Sequence, residues 1–355
     1  MKGLILSGGK GTRLRPITYT RAKQLVPVAN KPVLFYGLEA LVAAGIRDIG
    51  IVVGDTKDEI RAAVGDGSRW NARVTYIEQD APRGLAHAVL ISEEFIAGTP
   101  FVMYLGDNLL NRGITSFTEQ FEREHPAAQI LLTRVPDPQM FGVAELNGSR
   151  VVRLVEKPKE PKSDLALVGV YMFGREIFDA VKAIKPSFRN ELEITDAIQH
   201  LIDRGLEVRP HLVEGWWKDT GKLEDMLEAN RLILETMDRR VEGTVDSESR
   251  IEGKVVIEPG ATIERSVVRG PVIIGAGAKI SGAYIGPYTS IGERVELRET
   301  EIEHSIVLEG AVISGLAARI EDSLIGRGVS IYRLPVRPSA YRFMLGDNSE
   351  VGIRW

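Results

Sequence analysis

Seven cations, Lys2, Lys10, Arg13, Arg15, Arg21, Lys23 and Lys31, precede the first acidic residue, Glu39, in a chain of 355 residues whose net charge is −4. So local an excess suits a compact polyanion such as a nucleoside triphosphate rather than a nucleic-acid track. Among these cations runs Ser7-Gly8-Gly9-Lys10-Gly11-Thr12-Arg13, directly after the apolar Lys2–Leu6. Glycines there let backbone N–H groups approach an anion, and Lys10, Arg13 and Arg15 add charge. A tight strand-to-helix connection reads from the same pattern. A Walker loop is absent, and a dinucleotide fingerprint fails because Leu14 stands where glycine is needed.

A second candidate is Asp107 in Gly106-Asp107-Asn108, just past the apolar run Phe101–Leu105. A carboxylate emerging there reaches the ligand edge of a sheet, where Mg²⁺ is held by one or two carboxylates with substrate phosphates. Gly-Asp-Asn is equally good turn chemistry. Lys157 precedes Pro158, which predicts an extended backbone aiming the ammonium into a cleft, or a solvated loop. There is no cysteine, and the five histidines show no metal-ligand spacing. With 44% apolar and 26% charged residues, no long apolar run and an N-terminal Leu4-Ile5-Leu6 too short for a signal core, a cytoplasmic protein with neither membrane nor nucleic-acid partner is expected.

GGKGTRLRPIT followed by KQLVPVANKP closely resembles the signature of the sugar-1-phosphate nucleotidylyltransferases, and the KQL form resembles the glucose-1-phosphate thymidylyltransferases. GDGSRW, LGDN, FGVAEL, EKP, ELEITD and WWKDTG continue the resemblance in order over about two thirds of the chain, and the repeats that follow match the long form found in antibiotic deoxysugar pathways. The resemblance implies transfer of dTMP from dTTP, or UMP from UTP, to α-D-glucose 1-phosphate, with release of pyrophosphate and use of Mg²⁺. It implies that Leu6, Gly8, Gly9, Gly11, Thr12, Arg13, Gln24, Gln79, Gly84 and Asp107 bind the nucleotide. Asn108, Gly142, Glu156, Lys157, Val168 and Glu193 fall to the sugar phosphate, Arg13, Lys23, Lys157 and Asp107 to catalysis, and Asp107 and Asp219 to the metal. One departure is Phe141, where many relatives carry tyrosine. A lone Glu193 reads equally as a residue of the helix start.

The elements that must position these residues alternate. Helical spacing covers 32–44, 57–64 and 85–91, and apolar strands cover 49–53, 74–77 and 101–105. Strands then follow one another at 130–135, 142–146, 151–155 and 167–173, before a helix over 191–203, a strand over 206–213 and a helix over 223–237. The fold class is α/β, a Rossmann-like domain over 1–237 with a mixed, mainly parallel sheet. A polar linker is expected at 238–250. From 251 to 332, Ile257, Ile274, Ile291, Leu308 and Ile325 recur every 17 residues, with the register slipping at Ile313 and Ile320. So short a repeat must stack, and it resembles the hexapeptide left-handed β-helix. Residues 333–355 are read as a cap.

Two other classes compete: a hexapeptide acyltransferase using His304, the only histidine in the repeats, or an inactive nucleotide-sugar sensor. No acyl-transfer motif surrounds His304, and a sensor has no need of Arg13, Lys23, Asp107, Lys157 and Asp219 together. Every matched motif lies before residue 238, so the β-helix is expected to organise a homo-oligomer rather than to form a second active site.

Overall fold

The computed structural model describes residues 1–9, 11–334 and 348–352. Lys10 and most of the expected cap lie outside them. The chain divides into two compact units, one of residues 1–10, 22–25 and 33–219, the other of 11–21, 26–32 and 220–355.

In chain order the elements are β1 (Lys2–Ser7), the short hairpin β2 (Pro27–Val28) and β3 (Lys31–Pro32), α1 (Val33–Ala43), β4 (Asp48–Val53), α2 (Lys57–Val64), β5 (Arg73–Glu78), α3 (Leu85–Ile91) and α4 (Glu93–Ile96). Next come β6 (Phe101–Leu105), β7 (Asn108–Leu110), α5 (Thr115–Glu124), β8 (Ala128–Arg134), β9 (Gly142–Asn147), β10 (Arg150–Glu156) and β11 (Leu165–Phe173). They are followed by α6 (Ile177–Ala183), α7 (Ile194–Asp203), β12 (Val208–Leu212), β13 (Trp217–Asp219) and α8 (Leu223–Thr236).

The first unit is built on a mixed sheet. β6, β1, β4 and β5 run parallel, so Ser7, Val53 and Leu105 end at one edge and deliver their loops together. β11 then pairs antiparallel with β6 and β8. All nine residues of β11 are buried, because apolar clusters cover both faces of the sheet. β5, at the edge, keeps only partial burial. Each fully buried Leu, Ile or Phe here stabilises the fold by about 1.5–3 kcal/mol.

α7 starts at Ile194 rather than Glu191. The backbone before it is held extended: Leu192 N–H donates to the Arg83 carbonyl (2.8 Å) and Ala86 N–H to the Leu192 carbonyl (3.0 Å).

In the second unit, strands β14 to β29 (Arg240–Tyr332) form three parallel ladders, the faces of the expected β-helix. The polar stretch expected as a linker belongs to it. Arg240–Val241 and Thr244–Val245 pair with Val256–Ile257 and Thr262–Ile263, so the solenoid begins inside that stretch. Ladder hydrogen bonds need no apolar side chain, which is why composition concealed these strands. The inward stack runs Ile257, Ile274, Ile291, Val307 and Ile325. Val307 thus takes the register position expected of Leu308: the coil from 291 to 307 is one residue short and the next, to 325, one long. The slip at Ile313 and Ile320 is the same irregularity on the other two ladders, Leu297 pairing with Ile313 and Ile302 bridging Ile320.

α8 and the hairpin β2–β3 lie in this second unit, although the sequence assigns both to the first domain. Asn230, fully buried on α8, accepts from Ala29 N–H (2.9 Å) and Ser290 Oγ (2.6 Å) and donates to the Tyr288 carbonyl (2.9 Å). Asn30 donates to the Ile291 carbonyl (2.8 Å).

Candidate active site

At the ligand edge of the first unit, the turn after β6 carries Asp107. Its carboxylate forms an ion pair with Lys23 and accepts from Asn108 Nδ2 (2.9 Å). Burial pushes the Asp107 carboxyl up, but Lys23 and Asn108 outweigh it and hold the group below the usual carboxylate range. Lys23 opens the 3₁₀ turn Lys23–Leu25, anchored where Ala22 N–H donates to Glu59 Oε2 (2.9 Å). Asp219 ends β13 and stands opposite Asn108 in the antiparallel β13–β7 ribbon, so both expected metal aspartates emerge from one ribbon end.

Asn108, expected at the sugar phosphate, is 2% exposed and holds protein groups instead. Its Oδ1 accepts from Trp217 Nε1 (2.6 Å) and Gly169 N–H (3.1 Å), while its Nδ2 donates to Asp107. It therefore orients the Asp107 carboxylate. Trp217 is a partner that the sequence disguised: a tryptophan in a strand reads as core, and only the fold shows its N–H aimed at Asn108. Phe141, the departure noted above, meets Trp217 edge-on at 5.4 Å.

Around the glycine turn, Leu6 is buried in β1 between β4 and β6, and Gly8 and Gly9 face two glutamines. A Cβ on Gly8 would lie 3.2 Å from Gln79 Oε1, and one on Gly9 3.7 Å from Gln24 Nε2. Gln24 is 2% exposed, and its Oε1, like Ser7 Oγ, has no hydrogen-bond partner among the described residues. A buried amide oxygen in that state suits a ligand donor. Gly84 has φ 101°, and a Cβ there would stand 2.4 Å from the Leu192 carbonyl oxygen, so no other residue fits. Gly11, Thr12 and Arg13 fall in the segment of the second unit. Gly11 caps a 3₁₀ turn over Thr12–Leu14, on which Thr12 and Arg13 are exposed.

On the sugar side, Gly142 opens β9 opposite Glu156 of β10. Glu156 Oε2 accepts from Thr195 Oγ1 (3.4 Å), and Arg189 Nη1 approaches both Glu156 (3.4 Å) and Glu193 (3.5 Å). Burial, then the neighbouring Glu193, raises the Glu156 carboxyl. Glu193 does cap α7 by position, but its buried side chain accepts from Ser187 Oγ (2.8 Å) and faces Arg189 instead of the helix. Arg189, which sequence reasoning passed over, is thus the cation shared by both carboxylates. A cleft of about 570 Å³ opens against Glu156, Glu193 and Asp196.

Lys157 is not extended as Pro158 predicts: its φ is 43°, with its N–H held by the Phe141 carbonyl at 3.0 Å. That bond sustains a left-handed backbone, a conformation that clusters at ligand sites. Val168 is fully buried, so only its backbone is available to a ligand.

Two carboxylates with no nitrogen or sulfur donors form a hard-oxygen set, which fits Mg²⁺. No group of three or more His, Cys, Asp or Glu that could hold a metal occurs among the described residues, so further ligands would come from substrate phosphates and water. His304 contacts Asp322 (2.5 Å) on the β-helix. No helix among the described residues is long and apolar enough to cross a membrane.

Residues 2–236 match the nucleotidyl transferase family. Over 99% of both chains, the sequence is 57% identical to a glucose-1-phosphate thymidylyltransferase of Streptomyces griseus. It is 56% identical to the Streptomyces antibioticus protein of the same name, over 100% of both. This chain belongs to the nucleotidyl transferase family, among the glucose-1-phosphate thymidylyltransferases. A Bacillus anthracis crystal structure named for the same activity and holding sucrose superposes with a TM-score of 0.62 at 37% identity, covering 65% of this chain and 94% of that one.

Proposed function

We propose that the protein transfers dTMP from dTTP to α-D-glucose 1-phosphate, giving dTDP-glucose and pyrophosphate, with Mg²⁺ as its metal. The observation that carries this reading is the convergence of Lys23, Asp107 and Asp219 at the strand ends, with the two glutamines beside the glycine turn and the two glutamates lining a cleft. The near full-length identity to proteins of that activity supports the choice of base and sugar.

The nucleophile is a sugar phosphate oxygen, anionic at neutral pH, so no general base is required. The work left to the protein is alignment and charge neutralisation. Lys23 and Arg13 are assigned the triphosphate. Lys157 steers the sugar phosphate, while Glu156 and Glu193 accept from sugar hydroxyls. Asp107 and Asp219 would hold Mg²⁺, which supplies neutralisation of phosphate charge. Gln24 and Gln79 read the base edge.

Thymine and uracil differ by a methyl, worth only about 1–3 kcal/mol to a pocket, so slower use of UTP is expected. A cytoplasmic homo-oligomer is part of the same proposal. The test is a matrix of nucleoside triphosphates and sugar 1-phosphates, with and without excess EDTA, products identified by mass. dTDP-glucose formed only with divalent cation supports the reading; GTP clearly preferred, or undiminished turnover in EDTA, contradicts it.

A further inference from the structure

We propose that His87 is a positioning residue that locks the Gln79 amide and so makes the enzyme select thymine or uracil over cytosine. The inference rests on the reading of Gln79 at the base edge and names the residue that enforces it.

Gln79 directly follows β5, its backbone N–H held by the Val53 carbonyl at 2.8 Å. Its Nε2 lies 3.4 Å from the Gly84 carbonyl oxygen and 3.0 Å from His87 Nδ1. The two ends of an amide are alike in shape, so its orientation follows from its neighbours. The Gly84 carbonyl can only accept, which assigns the NH₂ end to that side. The same NH₂ also meets His87 Nδ1, which must therefore offer a lone pair, with the ring proton on Nε2. Burial, then Arg83, lowers the His87 pKa, and Asp80, ion-paired to Arg83 at 2.6 Å, opposes this. The neutral ring required by the geometry is favoured.

Held at its NH₂ end, the amide keeps Oε1 toward the glycine turn, 3.2 Å from the place of a Gly8 Cβ. Thymine and uracil carry a donor at N3, whereas cytosine carries an acceptor there. A fixed oxygen accepts from the first two and repels the third. Without His87 the NH₂ end keeps only the Gly84 carbonyl at 3.4 Å, beyond the usual hydrogen-bond range, and the amide is free to rotate and donate to cytosine. Position 87 must therefore accept a hydrogen bond; being histidine is secondary.

The experiment uses the full chain with α-glucose 1-phosphate and compares kcat/KM for dTTP, UTP and dCTP. His87→Leu should narrow the dTTP-over-dCTP preference by about tenfold or more, mainly through KM, and leave dTTP over UTP unchanged. His87→Gln, whose amide oxygen can accept, should retain the preference. His87→Lys, which can only donate, should lose it. Should the leucine variant fail to fold, the glutamine and lysine variants pose the same contrast. A preference unchanged in His87→Leu, or equal in the Gln and Lys variants, overturns the inference. Gln79→Ala separates the two levels. If it leaves the dTTP-over-dCTP ratio intact, the base-edge reading itself fails; if it collapses the ratio while the His87 variants do not, only the role of His87 fails.

Discussion

Glu156 is held in two conflicting ways: burial and Glu193 favour its neutral form, while Lys157 and Arg189 favour the charge a sugar hydroxyl would meet. Because the net shift is upward, the folded state binds its proton more tightly than the unfolded chain. Its contribution to stability is therefore full below the unfolded carboxylate pKa, about 4.3, and declines as pH rises through the folded value. Glu156→Gln lacks that decline, so its Tm relative to wild type should become more favourable between pH 4 and pH 7. A relative Tm that falls over this range contradicts the assignment, and kcat/KM for the sugar phosphate should drop in any case. Asp107 is the opposite kind of residue, a carboxylate kept charged by Lys23. Asp107→Asn should lower kcat/KM by about a hundredfold or more, roughly 2.7 kcal/mol of transition-state stabilisation, as measured by pyrophosphate release. Near wild-type activity would remove Asp107 from the mechanism.

At the scale of elements, the strand ends fix which loops can meet, and the connection from β5 to α3 shows how little slack remains. Gly84→Ala must relieve both a positive φ and a 2.4 Å approach to Leu192. It should cost about 2–3 kcal/mol in urea unfolding and raise KM for dTTP, since the same turn carries Gln79. Helices α2 and α3 and strand β6 were legible from spacing and apolar runs alone. What was hidden depends on partners distant in sequence. The start of α7 is set by backbone pairing with residues 83–86, and the left-handed Lys157 by the bond its N–H donates to the Phe141 carbonyl. Trp217 and Arg189 looked ordinary because a tryptophan in a strand and an arginine near glutamates have common structural uses. Only the fold shows that one orients Asn108 and the other bridges two cleft carboxylates.

At the scale of the molecule, segments 11–21 and 26–32 and helix α8 group with the unit of the β-helix rather than with the rest of the motif-bearing first 237 residues. Asn230→Ala would strip partners from Ala29 N–H, the Tyr288 carbonyl and Ser290 Oγ, and should cost about 3 kcal/mol by denaturant titration. Removing residues 238–355 deprives Asn30 of its acceptor and uncovers Ala29 and Leu234, which pack with Val256 and Ile273. The shortened chain should therefore melt below the full-length protein, and an equal Tm would restore the simpler division into domains. The central claim is that an oxygen of the sugar phosphate, rather than of the nucleotide, forms the new bond, to the α-phosphorus of dTTP, and the β,γ-phosphates leave as pyrophosphate. The measurement that tests it uses glucose 1-phosphate carrying ¹⁸O in its phosphate, with unlabelled dTTP and Mg²⁺, and mass analysis of both products. All label should appear in dTDP-glucose and none in pyrophosphate; label in the pyrophosphate, or no nucleotide-sugar at all, would contradict it.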